Sequence, residues 1–147
     1  MKTINIFLSS NPHYSNIKKG SYGKYIQLTK FKGVKIVKNK QLAKEEAKLL
    51  MQANQVDFTP KCYGLAKITY IQAKKRCIKF GILQEHINGE EYDLSNKQII
   101  KFKQDLIQKA KIKHNDIHPR NCLRTKEDKD YIIDFTPGWC YTIKKED

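Results

Sequence analysis

The sequence predicts an α+β fold in which a small, mostly antiparallel N-terminal sheet with one helix precedes a shorter helical part. Three patterns carry this prediction: strand-like segments among glycines in the first third, a helical stripe over residues 42–53, and a second stripe over residues 95–110 followed by a hairpin. The 147 residues are 39% hydrophobic and 10% aromatic, which suits a modest core, and they contain no internal repeat or low-complexity tract. We therefore expect residues 1–147 to form a single domain.

The strands of the first half are short. β-type segments at residues 25–28 and 34–37 lie among Gly20, Gly23 and Gly33, which predicts a hairpin. Residues 68–72 and 77–84 indicate two more strands.

Between these strands lies the first helix, over residues 42–53. Its apolar positions recur at helical spacing, and Glu46 falls on the same stripe, four residues after Leu42 and four before Leu50. The pattern therefore aims a carboxylate at the interior.

The second half begins with the clearest helix signal. Ser95 and Gln98 resemble a capping box, and an apolar stripe follows at Ile99, Phe102, Leu106 and Ala110. Two short apolar pieces, residues 122–123 and 131–133, flank a charged turn at residues 125–130 and predict a second hairpin.

Composition narrows the class of protein. The formal net charge of +14 is carried almost entirely by lysine, and it favours anionic partners in general, including nonspecific contact with nucleic acid. No apolar run approaches the roughly 20 residues of a membrane span, and residues 4–8 are too few for a signal-peptide core. We expect a soluble cytoplasmic protein without a membrane span; secretion as an effector and a viral origin stay open.

The four cysteines point to no metal or disulfide framework. They show no paired CxxC spacing, and no export signal accompanies them; they are Cys62, Cys77, Cys122 and Cys140. Reduced thiols are the expected state.

The chemistry concentrates around the second hairpin. Asn121 lies just before its first strand and Asp134 just after its last, so antiparallel pairing brings the two together. Asp116 lies five residues upstream of Asn121, which lets two carboxylates and an amide oxygen converge. Mg²⁺ prefers such oxygen ligands together with nucleotide phosphates, and the remaining carboxylate would orient a hydroxyl for attack.

Two motifs carry a family resemblance. His114-x-Asp116-x-x-x-x-Asn121 followed by Ile132-Ile133-Asp134-Phe135 resembles the catalytic loop and magnesium-binding motif of the protein-kinase-like superfamily. Further elements follow in family order over about residues 18–136: Gly20-Ser21-Tyr22-Gly23 resembles the glycine-rich loop, Val34-Lys35-Ile36 the lysine strand, Glu46 with residues 47–50 the partner helix, and residues 83–89 the adenine-contacting hinge.

The resemblance implies a reduced bilobal kinase-like fold, with an N-lobe at about residues 1–86 and a truncated helical C-lobe at about residues 87–147. It implies an ATP-dependent kinase using Mg²⁺, with Mn²⁺ as an alternative. Lys35 would hold the phosphates, Glu46 would orient Lys35, and Asp116 would accept or orient the substrate hydroxyl. Asp134 and Asn121 would hold the metal. The nucleotide would also contact Gly20, Ser21, Tyr22, Gly23, Glu85 and Ile87.

Departures from the family pattern leave the acceptor open. Lys18 and Thr136 stand where glycines are usual, and His118-Pro119 replaces a typical lysine-proline pair. The loop is more similar to UbiB-type and other atypical kinases. Because 13 residues follow Asp134, we expect no later substrate-binding helices, as in RIO kinases, the kinase of the tRNA-threonylcarbamoylation complex and secreted bacterial effector kinases.

Three functions follow from these features. The first is a minimal Ser/Thr protein kinase, the second a kinase of a small molecule or glycan, and the third a non-catalytic binding module with a basic surface. The third predicts no turnover.

Each residue also has an ordinary interpretation. Lys35 would be a solvated surface lysine, Glu46 would reach solvent or a neighbouring helix, and Gly20 with Gly23 would form a simple turn. Asp116, Asn121 and Asp134 would be turn formers. His114 is interpreted as structural, hydrogen-bonded beneath the loop.

Overall fold

A five-stranded sheet forms the first part of the protein. The computed structural model describes residues 1–9 and 24–144, so residues 20–23 of the predicted glycine-rich loop lie outside the described residues. The strands are β1 (Thr3–Phe7), β2 (Lys24–Gln27), β3 (Lys32–Val37), β4 (Cys62–Gln72) and β5 (Lys75–Glu85). Their spatial order is β1, β4, β5, β3, β2.

The pairing is antiparallel throughout this sheet except at one edge. The predicted hairpin is confirmed as β2 and β3, and the two further predicted strands are the outer parts of the long β4 and β5 hairpin. Strand β1 was not predicted, and it pairs in parallel with β4. A signal was present, because Thr3, Ile4, Asn5 and Ile6 alternate polar and apolar side chains with the period of a strand.

Helix α1 (Lys40–Ala53) confirms the predicted first helix and its inward carboxylate. Asn39 caps it, because its side chain accepts a hydrogen bond from the Leu42 backbone at 2.9 Å. The buried face consists of three alanines, one leucine and one acid: Ala43, Glu46, Ala47, Leu50 and Ala53. These small side chains let the helix lie close to the sheet.

The second part contains one α-helix and several short strands. Helix α2 (Asn96–Asp105) begins at the predicted capping box of Ser95 and Gln98. It continues as a π-helical turn (Leu106–Ala110) that ends at Lys111, whose φ of 58° is left-handed. The predicted stripe is therefore one helical unit, but its last turn is wider than an α-helix.

Two small sheets complete this part. Strands β6 (Gly89–Glu91), β8 (Cys122–Thr125) and β9 (Asp130–Ile132) form an antiparallel sheet, and the β8 and β9 pair is the predicted second hairpin. Strand β7 (Ile112–His114) pairs antiparallel with β10 (Cys140–Thr142). A 3₁₀ turn (Pro119–Asn121) leads into β8.

The largest hydrophobic cluster joins the two parts. It includes Leu50 and Ile82 from the first part and Leu106, Ile112 and Phe135 from the second. The four cysteines are free thiols. Within residues 1–9 and 24–144, no helix combines the length and apolar character needed to cross a membrane.

Candidate active site

Lys35 lies at the centre of the candidate site. It is a β3 residue, and its side chain is buried, with 9% of the residue exposed. Its Nζ atom donates to Glu46 Oε2 at 2.7 Å and to Asp134 Oδ1 at 3.0 Å. Glu46 and Asp134 are each 4% exposed. The solvated interpretations of Lys35 and Glu46 are therefore wrong.

The two carboxylates determine the charge state of Lys35. Burial acts to lower its pKa, but the charges and hydrogen bonds of Glu46 and Asp134 outweigh burial and raise the pKa above its ordinary value. Lys35 is thus a cation held between two anions.

Asp134 lies two residues after the end of β9 and is oriented by Thr136. The Thr136 backbone N–H donates to Asp134 Oδ1 at 3.0 Å, and the Thr136 hydroxyl donates to the same oxygen at 2.5 Å. Sequence reasoning treated Thr136 only as a departure from glycine. The Asp-x-Thr spacing is the available signal, because a carboxylate often accepts hydrogen bonds from the residue two positions later.

Asp116 and Asn121 meet across the loop between β7 and β8. The Asn121 Nδ2 atom donates to the Asp116 carbonyl at 2.7 Å and to Asp116 Oδ2 at 3.1 Å. His118 Nε2 lies 3.2 Å from Asp116 Oδ1. Asn121 is 2% exposed, and its carbonyl accepts from the Ile133 backbone at 3.0 Å, so it lies beside the end of β9. Asn121 thus ends a 3₁₀ turn, and its side chain also bonds to Asp116.

His114 connects the Asp116 loop to the backbone of Asp134 through two hydrogen bonds. The Asp116 backbone donates to its Nδ1 atom at 3.1 Å, which leaves Nε2 as the protonated nitrogen that donates to the Asp134 carbonyl at 2.6 Å. The ring meets Phe135 edge-on, with centroids 5.0 Å apart. Burial lowers the His114 pKa, so the ring is neutral. The structural interpretation of His114 is confirmed.

The segment proposed to contact adenine is largely engaged within the fold. The Glu85 backbone donates to the Lys61 carbonyl at 2.8 Å, and Glu85 Oε1 accepts from the Lys61 backbone at 3.1 Å. The His86 backbone donates to the Phe31 carbonyl at 2.9 Å. Ile87 is buried. Neither the Glu85 side chain nor its N–H is therefore directed to a ligand.

Gln84 offers a polar atom instead. It is 4% exposed, and in the part of the chain that the structure describes its Oε1 atom has no hydrogen-bond partner. Ile82 pairs with Lys35, and Gln84 lies two residues further along β5, so Gln84 and Lys35 share a face of the sheet. A buried, unsatisfied acceptor on this face suits a donor such as the exocyclic amine of a purine.

The donor chemistry also suits a hard cation. Asp134 would supply a carboxylate, and the Asn121 Oδ1 atom would be the amide ligand, since Nδ2 donates to Asp116. Both are oxygen donors of the kind that Mg²⁺ takes. Among residues 1–9 and 24–144, no group of three or more His, Cys, Asp or Glu side chains is arranged to hold a metal.

Comparison with known proteins gives a match by structure. No family model matches the sequence, and no curated protein matches it. The solved structure of a Legionella pneumophila kinase, Lpg2603 bound to IP6, matches 91% of this chain with a TM-score of 0.53 and 18% sequence identity. This chain spans 52% of the length of that kinase. The protein therefore has a reduced kinase-like α+β fold.

Proposed function

We propose that the protein is an ATP- and Mg²⁺-dependent phosphotransferase that phosphorylates a hydroxyl, with a serine or threonine of a polypeptide as the acceptor. One observation carries the proposal: Lys35 is buried between Glu46 and Asp134, beside the cluster of Asp116 and Asn121. Burying three charges is costly unless they are paired, and such arrangements concentrate at functional sites.

Each side chain has a role in this proposal. Glu46 orients Lys35 toward the phosphates of the nucleotide, and Asp134 with Asn121 would hold Mg²⁺, which neutralises phosphate charge when bound. Gln84 accepts a hydrogen bond from the purine. Lys35 Nζ lies 3.0 Å from Asp134 Oδ1, so Lys35 is positioned next to the carboxylate that would carry the metal.

The transfer itself needs one proton acceptor. The acceptor oxygen forms a bond to the terminal phosphorus as the bond from that phosphorus to its bridging oxygen breaks, and ADP leaves. Asp116 takes the proton of the acceptor hydroxyl. Its carboxylate is partly accessible, and Asn121 and His118 hold it from two sides.

Matched variants separate nucleotide binding from transfer. We expect ATP to raise the melting temperature only with a divalent cation, and Asp134→Asn to lose that increase. Asp116→Asn should retain it but transfer labelled phosphate about 10²- to 10⁴-fold more slowly. Asp93→Asn is the control, because Asp93 is an exposed carboxylate outside the site. Transfer by Asp116→Asn at the parental rate, or equal stabilisation by ATP in chelator, would contradict the proposal.

A small-molecule or glycan acceptor is the second candidate. It is favoured by His118, which contacts Asp116 at 3.2 Å where protein kinases typically have lysine. The Legionella kinase is solved with IP6, and this chain has a formal charge of +14, so IP6 should be tested both as an acceptor and as a stabilising ligand. If labelled phosphate appears on IP6 or on a sugar and not on protein, the acceptor is a small molecule or glycan and not a polypeptide.

A further inference from the structure

A cavity opens beside the buried ion pair of Lys35 and Glu46. Its volume is about 290 Å³, and Lys35 and Glu46 form its inner end. The other walls come from the end of β3, the first turn of α1 and the segment after Asp134; they are Val37, Lys38, Leu42, Thr136, Pro137 and Trp139. Of these six residues, Thr136 orients Asp134, and the other five have no role in the proposed nucleotide or metal binding.

Trp139 places the cavity next to the proposed acceptor site. Its carbonyl accepts a hydrogen bond from the Asn115 backbone at 2.9 Å, and the following residue, Cys140, pairs with His114 in the β7 and β10 sheet. Asn115 directly precedes Asp116. Trp139 therefore bonds through its backbone to the Asp116 loop and also lines the cavity, and it is 52% exposed.

We propose that this cavity receives a bulky apolar side chain of a polypeptide acceptor, adjacent in sequence to the residue that is phosphorylated. The inference rests on the proposed function and adds a feature of its substrate. Val37, Leu42, Pro137 and Trp139 supply apolar contact, and a half-exposed tryptophan gains most from being covered by another apolar group.

The apolar walls argue against a sugar or polyol here. A polyol would need hydrogen bonds for several hydroxyls, and Val37, Leu42 and Pro137 supply none from their side chains. The volume lies at the small end for ligand pockets and fits one side chain.

Lys38 adds a charge preference. It lines the cavity and is exposed, and within the described ranges no acidic side chain pairs with it. The cavity thus combines an apolar interior with a cation at its edge. A polypeptide that offers an apolar residue and a nearby acidic residue is complementary to both features.

Trp139 is the single tryptophan of the chain, so its fluorescence reports occupancy of the cavity without nucleotide or catalysis. The probes are short glycine-rich peptides with one serine. The first has leucine on both sides of the serine and one aspartate nearby; the second has alanine for leucine, and the third lysine for aspartate. We expect a saturable fluorescence change with the first peptide. The affinity for the second peptide should be lower by a factor of about ten or more.

Variants assign the binding to this cavity. A fluorescein label on the first peptide allows binding to be read by anisotropy when the tryptophan is absent. Trp139→Leu should weaken binding about tenfold, whereas Tyr141→Leu, which removes an exposed aromatic ring two residues away, should not. Lys38→Glu should reverse the preference between the aspartate and lysine peptides, and Lys48→Glu, an exposed lysine further along α1, should leave it unchanged.

The outcomes distinguish this inference from the proposed function. Equal binding of the leucine and alanine peptides, or a saturable Trp139 response to glucose or IP6 and to none of the peptides, would overturn the cavity inference even if transfer is intact. Selective peptide binding without any phosphate transfer would support the cavity as a polypeptide site and overturn the proposed function. Faster transfer to the leucine peptide that is lost in Trp139→Leu supports both.

Discussion

A single oxygen of Asp134 organises much of the candidate site. Its Oδ1 atom accepts hydrogen bonds from Lys35 Nζ, the Thr136 backbone and the Thr136 hydroxyl. Three donors converging on one oxygen hold the carboxylate in one orientation before any ligand arrives. Such preorganisation is what a phosphoryl-transfer site requires, because most of its catalysis is positioning and charge stabilisation.

Gln84 gives a residue-scale prediction about stability. Its Oε1 atom is buried without a partner among the residues described, which costs on the order of 1 to 3 kcal/mol when no ligand satisfies it. We expect Gln84→Met to increase the free energy of unfolding of the nucleotide-free protein, measured in urea, and to weaken stabilisation by ATP and Mg²⁺.

The same substitution at Gln52 is the control. Gln52 Nε2 donates to the Ala110 carbonyl at 2.7 Å, and its Oε1 accepts from the Thr142 hydroxyl at 3.0 Å. Gln52→Met should therefore decrease the free energy of unfolding. A decrease in both variants would show that the Gln84 oxygen is satisfied in solution.

His114 gives a prediction about pH. Burial lowers its pKa in the folded protein from the ordinary value of 6.5, so below that value the unfolded chain binds a proton that the folded protein does not. The contribution of His114 is present above about pH 6.5 and is lost as the pH falls toward its folded pKa. We expect His114→Gln to be less stable than the parent at neutral pH and to lose less stability on acidification.

Urea unfolding at several pH values between about 7.5 and 5.5 measures this difference. His86 needs its own variant, since burial also lowers its pKa. Parallel curves for the parent and His114→Gln would mean that His114 does not contribute to the acid sensitivity.

At the scale of elements, β3 and β5 must approach closely to present Lys35. A Cβ atom on Gly81 would lie 2.3 Å from the Lys35 carbonyl oxygen, which is backbone and cannot move aside alone. Gly33 is similar in that its missing side chain makes room for the ring of Tyr25, whose hydroxyl bonds to His86 Nδ1 at 2.8 Å. Glycine at position 81 on β5 and at position 33 on β3 thus helps to set the positions of Lys35 and Tyr25.

Gly81→Ala should therefore separate β5 from β3 and displace Lys35. We expect a loss of about 1 to 3 kcal/mol in the free energy of unfolding, the usual cost of overpacking, together with weaker stabilisation by ATP and Mg²⁺ in thermal melts. Gly64→Ala is the control, because Gly64 has a φ of 138° that strains an alanine, and the added Cβ would lie near Ile4 and Lys2 rather than Lys35. It should lower stability but leave the relative effect of ATP unchanged.

At the scale of the whole molecule, the ion pairs of Lys35 connect parts of the chain that are far apart in sequence. Lys35 and Asp134 are separated by 99 positions, and Glu46 belongs to α1 between them. The largest hydrophobic cluster also draws residues from both parts. The sheet, the helix and the end of β9 are therefore held around one cation.

Substituting Lys35 alone should lower the free energy of unfolding more than substituting Lys35 together with Glu46. Lys35→Met removes the cation that bonds to both buried carboxylates, Glu46 and Asp134, and we expect a loss of about 3 to 5 kcal/mol in the free energy of unfolding. The double variant Lys35→Met with Glu46→Gln should recover part of this loss, because one buried charge is then absent. Equal or lower stability of the double variant in urea would contradict this reasoning.

The sequence by itself determined the elements that rest on local patterns. The capping box at Ser95, the stripe that carries Glu46 and the β8 and β9 hairpin all follow from contacts within a few residues. The ordered spacing of Asp116, Asn121 and Asp134 was also readable, because a hairpin fixes which ends meet. In the structure the Asn121 side chain bonds to Asp116, and the Asn121 backbone pairs with Ile133, the residue before Asp134.

Only the tertiary structure decided features that depend on distant partners. Parallel pairing of β1 with β4 and closure of β10 on β7 join segments without a shared turn, so no local signal fixes them. The unsatisfied Gln84 oxygen and the cavity at Trp139 are properties of what surrounds a side chain. Burial and the absence of a partner arise from packing, and a sequence period reports only the direction in which a side chain points.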